Sequence, residues 1–131
     1  MRNSFNLPEQ DTDFLNAQSL DWETIRDRSL QFLLLHAFPL PTGYNIDNVE
    51  IAIMIPPGYP VASLDMVYFH PALSLKNDQL IKAVSLHLID GRPFQRWSRH
   101  RSTQNPWRPG VDDISVHYSL INFWLEKEVK K

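Results

Sequence analysis

The chain has 131 residues, of which 43% are hydrophobic and 21% charged, and its formal net charge is -2 at pH 7. This length and composition predict a single domain over residues 1–131, globular and neither disordered nor fibrous. The charge balance argues against a nucleic-acid partner, and the absence of cysteine excludes disulfides, thiolate metal sites and thiol nucleophiles.

Neither a secretory signal nor a membrane span is visible in the sequence. The N-terminal segment MRNSFNLPEQ lacks an apolar stretch, and the longest apolar run, residues 32–38, is interrupted by His36. That run is much shorter than the ~20 residues that a helix needs to cross a bilayer. These features predict a cytoplasmic protein with no membrane partner.

The first predicted element is a short helix in PEQDTDFLNAQ, residues 8–18. Pro8 suits the first turn of a helix, since proline needs no hydrogen bond there. The acidic side chains that follow are favoured by the helix dipole.

Four predicted strands follow and form an antiparallel meander. WETIR and LQFLLLHAF make the first hairpin, and the second of these strands is apolar on both faces, which predicts a central position. VEIAIMI and LDMVYFH alternate with the period of two residues that is typical of strands. Between them, Pro56-Pro57-Gly58 cannot continue a ladder and predicts a turn.

A further hairpin and a C-terminal helix complete the predicted elements. AVSLHLI and RPFQRW flank Asp90-Gly91, and a two-residue Asp-Gly turn is a strong hairpin signal because glycine accepts a positive φ. The helix is predicted to begin at Asp112 or Asp113 as N-cap and to end near Glu128, a length of about 16 residues. Strands followed by a helix favour an α+β fold with helices segregated from an antiparallel sheet.

The C-terminal helix has one narrow polar face and is apolar elsewhere. The polar face consists of Ser115, Ser119, Asn122 and Glu126. We expect the helix to pack on the sheet with apolar surface to spare. The spare flank is either buried against the sheet or open to a partner as a groove.

WSRHRSTQNPW, residues 97–107, concentrates the polar groups and is the main candidate site. The histidines lack the spacing of metal ligands and the scattered glycines form no phosphate loop, so the sequence predicts no metal site and no cofactor. The serine-hydrolase elbow GxSxG is also absent. On a strand Ser98 and His100 would share a face, but a polar surface pair is the simpler interpretation, so these residues alone assign no catalytic group.

Two motifs lie close together in residues 49–73. A proline-tyrosine-proline turn joins two predicted strands, and an aromatic-His-Pro-x-aliphatic element ends the second strand. The residues are Pro57, Tyr59 and Pro60 in the turn, and Phe69, His70, Pro71 and Leu73 in the second motif. This arrangement resembles the central signature of ubiquitin-conjugating enzymes, whose architecture is called the UBC fold.

The resemblance extends over about residues 30–128. Trp107-Arg108-Pro109 looks like the Trp-x-Pro element of that family, which precedes the helix behind the active site. The resemblance implies a UBC-like α+β fold: a four-strand meander plus the extra hairpin, a short N-terminal helix, and a C-terminal helix packed on the sheet.

Four segments together resemble the bacterial branch called prokaryotic family E: LHAFPLPTGYN, IPPGYP, FQRWSRHR and WRPGVDD. Proteins of that branch are encoded beside a ubiquitin-like protein, a ThiF-type activating enzyme and a JAB-type peptidase, in operons linked to phage defence. The resemblance therefore implies a ubiquitin-like protein and a ThiF-type activating enzyme as partners in antiviral defence.

The chain departs from the family's catalytic pattern at two points. Ala72 stands where the family has the asparagine that stabilises the oxyanion, and alanine has no donor. The family's nucleophile is a cysteine between the His-Pro and Trp-x-Pro elements, and this chain has none. By order along the chain, residues 97–107 occupy the nucleophile's place.

Three functions remain open from the sequence. The first is a catalytically inactive protein that binds the ubiquitin-like protein, its activating enzyme or both, as a complex of one chain each. The second is a carrier that holds the ubiquitin-like protein as an oxyester on Ser98 or Ser102, with His100 as base. The third is an unrelated small protein-binding module.

The predicted binding residues are Trp97, Arg99, His100, Trp107, His70 and Tyr59. Tryptophan, tyrosine and arginine are enriched at interface hot spots. The same tryptophans would serve equally well in the core or at its rim. His70 is expected to cap a turn with its ring hydrogen-bonded.

Overall fold

The computed structural model describes all 131 residues and contains two helices and six strands. They are α1 (Glu9–Asn16), β1 (Trp22–Asp27), β2 (Leu30–Pro39), β3 (Asn48–Met54), β4 (Val67–His70), β5 (Val84–Ile89), β6 (Arg92–Trp97) and α2 (Ile114–Val129). Neither helix combines the length and the apolar character that crossing a membrane requires.

The six strands form one sheet in the order β1-β2-β3-β4-β6-β5. β1 to β4 are the predicted meander, and the hairpin β5–β6 continues the same sheet because β6 pairs with β4. All the pairs are antiparallel. This order confirms the prediction of an α+β, UBC-like fold.

β4 begins three residues later than the predicted strand LDMVYFH. Met66 has a φ of 57°, which takes the backbone out of the strand region. Its N–H donates to Arg99 O at 3.0 Å and to Asp65 Oδ1 at 3.1 Å, which fixes this turn. The alternating pattern extends past the strand because Leu64 is buried in the core without pairing in the sheet.

Apolar side chains cover both faces of the sheet. The larger cluster packs one face against α2 and includes Leu33, Ile51, Phe69, Trp97, Ile114, Ile121 and Leu125. The smaller cluster lies on the other face and consists of Ile25, Phe32, Leu34, Ala52, Tyr68, Ile89 and Phe94.

The smaller cluster brings together the two ends of the sheet, because Ile25 belongs to β1 and Ile89 to β5. The N–H of Asp90 donates to Asp27 Oδ2 at 2.9 Å, and the guanidinium of Arg2 lies 2.7 Å from Asp90 Oδ2. The sheet therefore curls around this cluster and is closed at one end by the β5–β6 turn.

Asp113 is the N-cap of α2, and its Oδ1 accepts from Val116 N at 3.3 Å. The helix ends at Val129, one residue beyond the predicted end. Phe123 stays exposed, at 57% of its surface. The spare flank of the helix is thus open to solvent at this residue.

Candidate functional site

Tyr59 joins three elements beneath the predicted site. Its hydroxyl donates to Asp11 Oδ2 at 2.7 Å, and Asp11 Oδ1 accepts from Ile114 N at 3.2 Å. Burial raises the pKa of Asp11, and burial together with the Asp11 hydrogen bond raises the pKa of the Tyr59 phenol. The contact therefore keeps the phenol protonated and ties α1, the proline-tyrosine-proline turn and the start of α2 together.

Trp107 fastens the polar loop to the same turn. Its indole Nε1 donates to Pro60 O at 3.0 Å, and its ring lies 6.2 Å from the ring of Tyr59. The guanidinium of Arg101 lies 5.1 Å from the centre of the Trp107 ring, within the range of cation–π contacts. The Trp-x-Pro element thus positions the loop through an aromatic cluster.

Asp112 is the buried anion of the loop, with only 1% of its side chain exposed. Its carboxylate accepts from Arg108 N at 2.9 Å, from Arg108 Nη2 at 3.0 Å and from Arg101 Nη1 at 3.3 Å. Burial opposes ionisation, but these hydrogen bonds and charges outweigh it and hold the pKa of Asp112 below its usual value. The loop is therefore built around an ionised aspartate.

His100 has a carboxylate partner, Asp65, that no pattern in the sequence predicts. Its Nδ1 lies 2.8 Å from Asp65 Oδ2, and the two side chains are 59% and 40% exposed. His100 makes no hydrogen bond with Ser98 or Ser102, and Ser102 Oγ accepts from Asn105 N at 3.1 Å. Of the three candidate catalytic residues, His100 is therefore paired with Asp65 and neither serine is bonded to it.

The His-Pro-Ala element lies at the other end of β4. His70 Nδ1 donates to Pro93 O at 2.7 Å and its ring lies 5.4 Å from that of Phe94, so the ring is hydrogen-bonded near the β5–β6 turn. Trp97 pairs with Val67 at the opposite end of the strand. At about 3.3 Å per strand residue, the backbones of these two ends are about 10 Å apart. The His-Pro element and the polar loop follow one another in the family pattern, but His70 and His100 lie toward opposite ends of β4.

Gln95 is the polar residue that connects this element to the sheet. Its Oε1 accepts from Leu73 N at 3.0 Å and from Trp97 Nε1 at 2.9 Å, and its Nε2 donates to Leu73 O at 3.2 Å. On the other side, Asn45 Oδ1 accepts from Ser74 N at 2.9 Å. Both side-chain amides near Ala72 are therefore engaged with the backbone of residues 73 and 74. A glutamine inside the predicted strand RPFQRW was the only sequence signal for this role.

A pocket of about 260 Å³ lies between the polar loop and the C-terminal half of α2. We call it the α2 pocket, and its lining residues include Arg99, His100, Phe123, Trp124, Lys127 and Glu128. The buried carboxylate of Glu128 lies 3.2 Å from Arg99 Nη2 and 3.2 Å from Lys131 Nζ.

The charge of the α2 pocket is positive. Glu128 is matched by Arg99 and Lys131, while Lys127 has no carboxylate within ion-pair distance and lies 5.9 Å from the centre of the Phe123 ring. The pocket thus presents an exposed aromatic ring beside an unpaired ammonium group.

The predicted binding residues fall into three groups. Arg99 and His100 line the α2 pocket, Tyr59 and Trp107 form the cluster under the loop, and His70 lies at the far end of β4. The remaining residue, Trp97, is fully buried in the core and has no surface to offer a partner. Sequence reasoning missed Asp65, Gln95 and Phe123 as parts of these groups.

The structure contains no group of three or more histidine, aspartate or glutamate side chains that could hold a metal ion. His117, for example, is held by a backbone group, because its Nε2 donates to Met66 O at 2.9 Å.

One comparison with known proteins gives a match. The model of the family described as prokaryotic E2 family E matches residues 7–128, which are almost the whole chain. No curated protein and no solved structure matches the chain. The family match covers the His-Pro element, the polar loop and α2 as far as Glu128.

Proposed function

This chain belongs to prokaryotic E2 family E, and we propose that it binds a ubiquitin-like protein, its activating enzyme or both without carrying the ubiquitin-like protein on a cysteine. The family makes it a protein similar to ubiquitin-conjugating enzymes in a bacterial pathway. Family membership also removes the basis for the third alternative, an unrelated binding module.

The proposal rests on one observation: the chain has the family's fold but lacks the family's catalytic groups. A thioester needs a thiolate, and the chain has no cysteine. The oxyanion donor is also absent, because Ala72 replaces it and the nearby amides of Asn45 and Gln95 hold backbone groups. With the fold kept and both groups lost, partner binding is the family function that the chain can still perform.

The α2 pocket is the proposed binding surface. Phe123 offers a large exposed apolar side chain, and aromatic residues and arginine dominate interface hot spots. Lys127, which has no carboxylate partner of its own, would attract an anionic group of the partner, such as a carboxylate. This combination fits a partner that places an apolar side chain and an acidic group against α2.

We expect Phe123→Ala to weaken binding of the ubiquitin-like partner by about 30-fold, the effect of losing a hot-spot residue. Isothermal titration calorimetry measures the affinity directly. Leu30→Ala is the matched control, because Leu30 is also an exposed apolar residue, at 45%, but lies in the β1–β2 hairpin.

Two results would count against this proposal in different ways. Equal affinity of Phe123→Ala and wild type would move the interface away from the α2 pocket. Absence of binding by the wild-type chain to both the ubiquitin-like protein and the activating enzyme would contradict the function itself.

The oxyester carrier is the second candidate, and the pairing of His100 with Asp65 favours it. A carboxylate on Nδ1 orients the imidazole and leaves Nε2 free to act as a base. Ser98 or Ser102 Oγ would attack the C-terminal carbonyl of the adenylated ubiquitin-like protein, His100 Nε2 would take the hydroxyl proton, and AMP would leave. Catalytic hydrogen bonds can tighten on binding, so the present separation from the serines does not exclude this step.

The pathway role follows from the resemblance described above. We propose antiviral defence as the setting of either function, with the ThiF-type activating enzyme as the source of the adenylated ubiquitin-like protein.

A further inference from the structure

A cavity of about 560 Å³ lies between the β1–β2 hairpin and the end of β3. We call it the hairpin cavity. Two arginines and several apolar side chains line it, among them Arg26, Arg28, Leu30, Met54, Pro56 and Pro57. Its volume lies within the range of about 300–1,000 Å³ that is usual for small-molecule sites.

The hairpin cavity forms because the β1–β2 hairpin projects beyond the point where β3 stops pairing. Ile55 N donates to Gln31 O at 2.9 Å. The next two residues are prolines, which have no N–H to donate, so the ladder with β2 ends there. β2 itself begins one residue earlier than this contact, at Leu30, and is preceded by a turn at Arg28, whose φ is 60°. The tip of the hairpin therefore faces the proline segment across an open space.

Both guanidiniums of the hairpin cavity lack an acidic partner. Neither Arg26 nor Arg28 forms an ion pair, and no acidic side chain lines the cavity. Asp27 lies between them in the sequence, but neighbouring residues of a strand point to opposite faces. Its Oδ2 accepts from Asp90 N at 2.9 Å, outside the cavity. The chain therefore leaves two positive charges in the cavity without a matching carboxylate, although its net charge is -2.

The apolar walls and the arginines together define the chemistry that the hairpin cavity can hold. Leu30 is 45% exposed and Met54 is half-buried, so an apolar group placed against them would remove their surface from water. A guanidinium presents a planar fork of N–H donors that matches the oxygens of a carboxylate or a phosphate. Small-molecule sites combine these two features, with mostly apolar walls and a few polar groups that fix the orientation of the ligand.

We propose that the hairpin cavity binds a small organic anion. The carboxylate or phosphate of this ligand lies against Arg26 and Arg28, and its apolar body lies against Leu30 and Met54. The site is separate from the binding surface proposed above, because the hairpin cavity and the α2 pocket share no lining residue.

Titration of the full-length protein with phenyl phosphate and with phenylacetate, followed by the NMR shifts of the backbone amides, tests the site. We expect at least one of the two probes to bind with a Kd of about 1 mM, a strength that suits a ligand of so few atoms. The shifts should concentrate in residues 26–31 and 54–55, and the tighter probe identifies the anionic group. Inorganic phosphate lacks the apolar body and phenol lacks the charge, so each is expected to bind about 10-fold more weakly.

Arg28→Gln is expected to weaken binding of the tighter probe by about 10-fold, the effect of losing a hydrogen bond to a charged group. Arg26→Gln should have the same effect. Arg92→Gln is the matched control, since it also removes one positive charge, but Arg92 lies at the start of β6 and does not line the cavity. This control is expected to bind the probe as wild type does.

Three results would overturn the inference: no binding of either probe to wild type at about 10 mM, equal weakening by Arg28→Gln and Arg92→Gln, or shifts confined to α2. Equal weakening would mean that the probe responds only to net charge. If neither probe binds but an acidic peptide that contains phenylalanine shifts the same amides, the cavity docks a protein segment and a small ligand is the wrong occupant.

Discussion

Asp112→Ala is expected to lower the free energy of unfolding by about 3–5 kcal/mol, the cost of removing one partner of a buried ion pair. The loss is large because Arg101, whose side chain is only 8% exposed, would keep its charge without the carboxylate. Two nitrogens of the same guanidinium, Nε and Nη2, are already buried without hydrogen-bond partners. Chemical denaturation followed by fluorescence of the tryptophans measures this change.

Asp113→Ala is the matched control for this prediction. Asp113 is the adjacent aspartate and the N-cap of α2, and loss of a cap costs about 1 kcal/mol. The double variant Arg101→Met with Asp112→Ala should recover part of the lost stability, because no unpaired buried charge is left. If Asp112→Ala costs no more than Asp113→Ala, the loop does not depend on the buried carboxylate.

Acid is expected to destabilise the protein by about 3 kcal/mol between pH 6.5 and pH 4 through His117. This side chain is fully buried, and burial lowers its pKa to about 4 from the usual 6.5. Below pH 6.5 the unfolded chain takes up a proton that the folded chain refuses until about pH 4. The contribution of neutral His117 to stability is therefore complete above pH 6.5 and is lost progressively as the pH falls to 4, by about 1.4 kcal/mol per pH unit.

His117→Gln separates this effect from the titration of carboxylates. Glutamine does not titrate but can still donate to Met66 O, as His117 Nε2 does at 2.9 Å. Denaturation curves at pH 7 and pH 4.5 should show a smaller loss of stability in this variant than in wild type. Equal losses in the two proteins would mean that another group controls the acid response.

The strands were predictable because their signals are local. Alternation located β3, and Asp90-Gly91 located the β5–β6 turn, where both residues adopt positive φ. The start of β4 was not predictable, because the turn at Met66 depends on a hydrogen bond to Arg99 O, far along the chain. The alternation of apolar and polar residues carries no information about such a long-range hydrogen bond.

The candidate site could be predicted only in part, because several of its contacts join residues that are far apart in the chain. The sequence left two N-caps open for α2, since aspartate suits a cap at either Asp112 or Asp113. The structure assigns the cap to Asp113, and Asp112 turns inward to the arginines. Burial of Asp112 in the folded structure decides which of the two aspartates caps the helix. The pairing of His100 with Asp65 and the contacts of Gln95 likewise join segments that only the folded sheet brings together.

We propose that the chain binds its partner without forming a covalent bond to it. Intact mass spectrometry under native and denaturing conditions, after incubation with the ubiquitin-like protein, the activating enzyme and ATP, distinguishes the two kinds of complex. We expect a native complex of one chain each that separates under denaturing conditions into two unmodified masses. A denatured species in which this chain carries one ubiquitin-like protein less one water, labile to hydroxide and absent in Ser98→Ala or Ser102→Ala, would contradict it and establish the oxyester carrier.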